Sequence, residues 1–154
     1  MNVYFLDSSA IVKRYVNEAG SNFVETLTDS RSGNLILLSR ITQVEVASAF
    51  ARRLRGGSLT QADTQNALSL FQHDLKNNYF RIEITPNLVR EAMRLAIKHA
   101  LRGYDAVQLA SSLEANNERL MLGLSPLVMV SADTELNQAA QIEGFNIENP
   151  NNYP

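Results

Sequence analysis

Short, unbroken apolar runs alternate with longer stretches of helical periodicity along this chain. Val3–Leu6, Leu35–Leu38 and Leu127–Val130 carry no polar alternation, the pattern of strands buried on both faces. Phe80–Ile84 reads as another strand and Phe145–Ile147 as a short last one. Helical spacing fills Ala10–Asn17, Ser21–Asp29, Ile41–Arg55 and Tyr104–Asn116, with breaks at Gly20, Gly56-Gly57 and Gly103. Thr60 caps a further helix to about Lys76, Thr85-Pro86 starts one to about Leu101, and another runs from about Thr134 to Ile142 before Gly144. Strands alternating with helices predict an α/β fold: three α/β/α layers around a central, mostly parallel sheet. The helices either side of Gly56-Gly57 have no strand between them and could project as a hairpin. The tail, 148–154 ("ENPNNYP"), is expected to be irregular.

The length, 154 residues, predicts one domain, and 45% hydrophobic residues supply a core. There is no cysteine, which removes disulfides, thiolate metal sites and cysteine nucleophiles. That suits a reducing, cytoplasmic setting. Asp7 cuts the first apolar run short and no basic segment precedes it, so neither a signal peptide nor a membrane span is expected. The net charge is −2 and the pI about 5.7. Any nucleic-acid role therefore rests on a local basic patch or a bound metal.

Of the sixteen acidic residues, most fall on expected helix surfaces. Four do not. Asp7 follows Leu6, and Asp133 follows "VMVSA", so two strands deliver an aspartate to the sheet edge where ligands bind in open parallel sheets. Helix capping explains either one alone. Glu45 borders an expected buried stripe of Ile41, Val44, Ala47, Ala51 and Leu54, with Ser48 and Arg52 on its own line. Asp105 opens an apolar helix after Gly103, where the helix dipole favours an acid. Four converging carboxylates repel by roughly 4 kcal/mol per close pair at an effective dielectric near 20. Such a set must protonate in part or hold a cation, and all-oxygen donors suit Mg²⁺ or Mn²⁺.

The blocks "YFLDSSAIVKRYVNEAGS", "TQVEVASAFARR", "RGYDAVQLASS" and "VSADTELNQAAQIEGF" resemble, in order and spacing, those of PIN-domain ribonucleases. The likeness is strongest to VapC-type toxins of toxin–antitoxin pairs. It implies acidic metal ligands at Asp7, Glu45, Asp105 and Asp133, supported by Ser8 and Ser131. It implies an endoribonuclease that hydrolyses RNA phosphodiesters with a metal-activated water, leaving a 3′-hydroxyl and a 5′-phosphate. It also implies a separate small antitoxin whose tail covers the site, and a homodimer.

Arg52, Lys13 and Arg14 are candidate phosphate contacts. Cations at a helix C-terminus also have a dipole explanation, which applies to Arg52, Arg53 and Arg55. His73 and His99 sit in polar mid-helix settings and read as surface residues. No G-x-S-x-G elbow or phosphate-binding GK[ST] loop is present. Two alternatives remain open: a haloacid-dehalogenase-like phosphatase, and a non-catalytic RNA- or protein-binding domain of the same fold. Against the phosphatase, the residue two after Asp7 is Ser9 rather than a second aspartate.

Overall fold

The computed structural model describes residues 1–154. Five strands form one sheet: β1 (Val3–Leu6), β2 (Leu35–Ser39), β3 (Tyr79–Ile82), β4 (Val128–Val130) and β5 (Asn146–Glu148). Their order is β3-β2-β1-β4-β5, and every pairing is parallel. Seven α-helices connect them: α1 (Ser8–Ile11), α2 (Ser21–Thr28), α3 (Thr42–Gly56), α4 (Gln61–Asn77), α5 (Pro86–His99), α6 (Gly103–Met121) and α7 (Thr134–Ile142). No helix is long and apolar enough to cross a membrane.

Successive strand residues point to opposite faces, and two cores result. Val3, Phe5, Leu37 and Met129 pack under α5, α6 and α7 through Leu95, Leu109 and Leu136. Leu6, Ile36, Leu38 and Val130 pack under α1–α4 through Ile11, Val24, Phe50 and Phe71. These are the three layers that the unalternated apolar runs predict.

Several boundaries differ from the sequence expectation. The first helix starts early, at Ser8, because the Asp7 side chain caps it, and it is one turn long, followed by a 3-10 turn over Val12–Arg14. Gly103 starts α6 instead of breaking a helix. The break lies at Ala100, whose φ of 53° ends α5. On α3 the buried stripe is Thr42, Val46, Ala49 and Phe50, while Val44 and Leu54 are exposed. Phe50 is the largest apolar side chain of this helix, and its burial in the core, edge-on to Tyr15 at 6.3 Å between ring centroids, fixes the rotation. The α3–α4 hairpin does not project whole, because Ala67, Phe71 and Leu75 of α4 lie in the core. The tail is ordered by contacts: Pro150–Asn152 make a 3-10 turn, and Tyr153 stacks on Phe23 at 4.2 Å between ring centroids. Gly20, at φ 87°, lets Pro150 approach so closely that a Cβ would sit 2.5 Å from its carbonyl oxygen.

Candidate active site

The chain lays β2 and β3 to one side of β1, then β4 and β5 to the other. The strand order therefore reverses between β1 and β4, and ligands of open parallel sheets bind beyond the strand ends at such a point. A cavity of about 760 Å³ opens there, lined by Asp7, Glu45, Asp105 and Asp133, with Ser8, Lys13, Arg52 and Arg102 around them. Four separate elements thus bring the four sequence-picked acids to one place.

Asp7 and Asp133 combine both roles considered for them. One oxygen of Asp7 accepts the Ala10 N–H at 3.0 Å, capping α1. The other accepts the Ser131 hydroxyl at 2.8 Å, and the Ser9 hydroxyl donates to the carboxylate at 2.7 Å. Asp133 caps α7 by accepting the Leu136 N–H at 3.0 Å. Ser131 also accepts the Asp133 N–H at 3.0 Å, so one hydroxyl ties both aspartates together. Ser9, not Ser8, bonds Asp7. Ser8 lines the cavity beside Glu45. Both serines lie in the first turn of α1, and successive helix residues point about 100° apart; Ser9 faces β4, where its hydroxyl also accepts the Ala132 N–H at 2.9 Å.

Burial pushes the Asp7 carboxyl up to about 7; hydrogen bonds from Ser9, Ser131 and Ala10 oppose the shift and the Glu45 charge adds to it. Glu45 is also raised, first by burial, with the Gln108 amide and Ser8 favouring its ionised form. Asp105 is raised by burial and by the neighbouring Asp133 charge, against the pull of Arg102. Asp7, Glu45 and Asp105 are therefore reluctant to ionise without added positive charge.

Two residues of the site escape a reading from sequence. Gln108 is fully buried and donates to Glu45 at 2.7 Å and to Thr42 at 2.9 Å. The signal available was its position three residues after Asp105, on the same face of the helix. Arg102 donates to Asp105 at 3.2 Å and to Asp133 at 3.1 Å. Its nearness to Asp105 in sequence was visible, but not its reach to Asp133.

The basic candidates separate. Arg52 lines the cavity and donates to Ser48 at 2.9 Å, not to Glu45. Lys13 lines it too, paired with Glu18 at 3.2 Å, and Glu18 also holds Arg53 at 3.0 Å. Arg14 does not line it. Arg14 is bound to Asp74 at 3.1 Å and borders a different depression with Glu25 and Asp29. The histidines lie elsewhere: His99 packs near Glu143 at 3.8 Å, with a buried side chain rather than a surface one.

As they stand, no three acidic or histidine side chains are close enough to grip one ion. The donors nevertheless suit a hard divalent cation, being carboxylate oxygens throughout. The Arg102 guanidinium, seated across Asp105 and Asp133, marks a position that takes positive charge.

A family model described as the PIN domain matches residues 4–142. Ribonuclease VapC45 of Mycobacterium tuberculosis (strain CDC 1551 / Oshkosh) is 32% identical over 127 residues, covering 80% of this chain and 84% of that protein. The fold is similar to the crystal structure of PAE2754 from Pyrobaculum aerophilum, with a TM-score of 0.64 at 20% identity over 98% of this chain and 85% of that one. It is similar also to VapBC2 from Rickettsia felis, solved bound to a DNA fragment from its promoter, with a TM-score of 0.62 at 14% identity over 96% of this chain and 98% of that one.

Proposed function

The chain belongs to the PIN-domain family, and from that premise we propose that it is a metal-dependent endoribonuclease, the toxin of a toxin–antitoxin pair. The observation that carries this reading is the convergence of Asp7, Glu45, Asp105 and Asp133 on one cavity. The ribonuclease name of its relative in M. tuberculosis supports it. These four carboxylates would hold Mg²⁺ or Mn²⁺. Such an ion, when bound, supplies Lewis acidity and a more acidic bound water.

The chain's own residues do the placing. Ser9 and Ser131 fix the Asp7 carboxylate between β1 and β4. Gln108 aims Glu45 from the opposite wall, and the N-terminus of α6 presents Asp105. Lys13, Arg52 and Arg53 line the same cavity and offer positive charge to the phosphates of a bound RNA strand. Ser131 joins Ser8 as a support of the acids, with Ser9 added. A separate antitoxin, in keeping with the likeness to VapBC2, a homodimeric state and action in the cytoplasm complete the reading.

The test is an incubation of the purified protein with structured RNAs and with a small phosphomonoester, in Mg²⁺, Mn²⁺ or EDTA. RNA cleavage in metal, abolished by EDTA, is expected. Undiminished cleavage in excess chelator, or phosphate release from the ester without RNA cleavage, would overturn the reading.

A further inference from the structure

Arg102 occupies an unusual place for a cation. It stands at the N-terminal boundary of α6, and its side chain makes no capping bond there. Its guanidinium reaches across to Asp133, which caps the N-terminus of α7. Two helix N-termini thus face it, and both dipoles disfavour positive charge. The side chain is 76% exposed, so no packing holds it. What holds it are the carboxylates of Asp105 and Asp133, at 3.2 and 3.1 Å. An exposed ion pair of this kind is weak and readily exchanged.

We infer that Arg102 is an internal counter-cation that competes with the divalent metal for Asp105 and Asp133, and that metal loading releases it to contact RNA phosphate. This rests on the metal-dependent reading above. Without metal, the single positive charge of Arg102, paired with both carboxylates, offsets the repulsion between them. A divalent ion brings twice the charge and a smaller radius, and it displaces a side chain that water receives at little cost. The displaced guanidinium stays at the cavity mouth, in reach of a strand whose phosphates approach the acids.

Mn²⁺ binding to the full-length protein, measured by calorimetry without RNA, provides the main test. Arg102→Gln is expected to bind Mn²⁺ about tenfold tighter than the wild type, and Arg102→Lys to stay close to the wild type. At saturating Mn²⁺, Arg102→Gln is expected to raise KM for RNA with little change in kcat. Opposite movements of metal and RNA affinity are the signature, because a merely structural role would weaken both. Equal or weaker Mn²⁺ binding by Arg102→Gln overturns the inference alone. A wild type that takes up no Mn²⁺ overturns the metal-enzyme reading with it.

Discussion

Asp7 and Asp74 are each 2% exposed, but Asp7 lies deeper in the protein, and their carboxyls shift in opposite directions. Burial works against the Asp74 charge too, but Tyr15, Arg14 and Asn78 outweigh it, and its carboxyl lies below the usual range. The Tyr15 hydroxyl donates at 2.7 Å, Arg14 at 3.1 Å and Asn78 at 2.8 Å. Asp7 receives hydroxyl and amide donors but no cation, and it rises to about 7. Asp74 is finished by the protein itself. Asp7 is left wanting charge, and it is the one that faces a cavity at the strand ends. A buried acid without its cation is the better pointer to a site.

Exchanging each acid for its amide breaks this comparison most directly. Asp7→Asn is expected to lower RNA cleavage by on the order of a thousandfold, about 4 kcal/mol of transition-state stabilisation, with the fold kept. Asp74→Asn is expected to keep most activity but lose about 2 kcal/mol of stability, a buried-pair loss discounted for partial exposure of Arg14. Turnover and urea denaturation, measured on both variants, check the pair. Equal losses of activity would erase the distinction.

A pH series on metal-free protein sharpens it. Asp7 is raised from 3.8 to about 7 on folding, so its neutral form stabilises the fold below about pH 4, and that contribution is lost as pH rises through 7. At about 1.4 kcal/mol per pKa unit, the loss is roughly 4–5 kcal/mol. Asp74, shifted downward, works with the opposite sign: its contribution is present above the unfolded pKa and disappears on acidification. Melting temperatures from pH 5 to 8 should fall more in the wild type than in Asp7→Asn, and added Mn²⁺ should remove the difference. Parallel melting curves would deny Asp7 its raised pKa.

Smaller effects follow from the supporting groups. Ser131→Ala removes a donor to Asp7 and the acceptor of the Asp133 N–H, and Mn²⁺ affinity should drop about tenfold. Least of all, Arg52→Ala should flatten the slope of log RNA affinity against log salt by about 0.7, one phosphate contact on a single strand. Arg14→Ala, its charge already committed to Asp74, should leave that slope alone. Identical slopes would remove Arg52 from the RNA path.

The sheet was legible in the sequence because a strand buried on both faces has no other way to be written: Val3–Leu6 is found as expected. Asp7 and Asp133 were legible for a related reason, since each ends such a run. Asp74 was not. It sits among helix residues that resemble a solvated face, and only the arrival of Tyr15 and Arg14 from sixty residues away makes it buried. The α3 stripe failed likewise, because alanines and valines on two faces leave helix rotation undetermined until Phe50 finds its neighbours. Ser8 and Ser9 were separable only by the turn that follows β1. Arg102 needed the distance between α6 and α7, which no local pattern encodes.

The hydrogen bond from Ser131 to Asp7 spans 124 positions of chain, and it sets a time as well as a place. During synthesis β1, β2 and β3 emerge first, and β4 with Ser131 and Asp133 follows only after α5 and α6. Closing so long a loop is among the slower steps of folding. Until β4 docks beside β1, Asp7 lacks a neighbour and the acid set lacks its fourth member. A nascent chain that has released only its first three strands therefore holds an incomplete acid set.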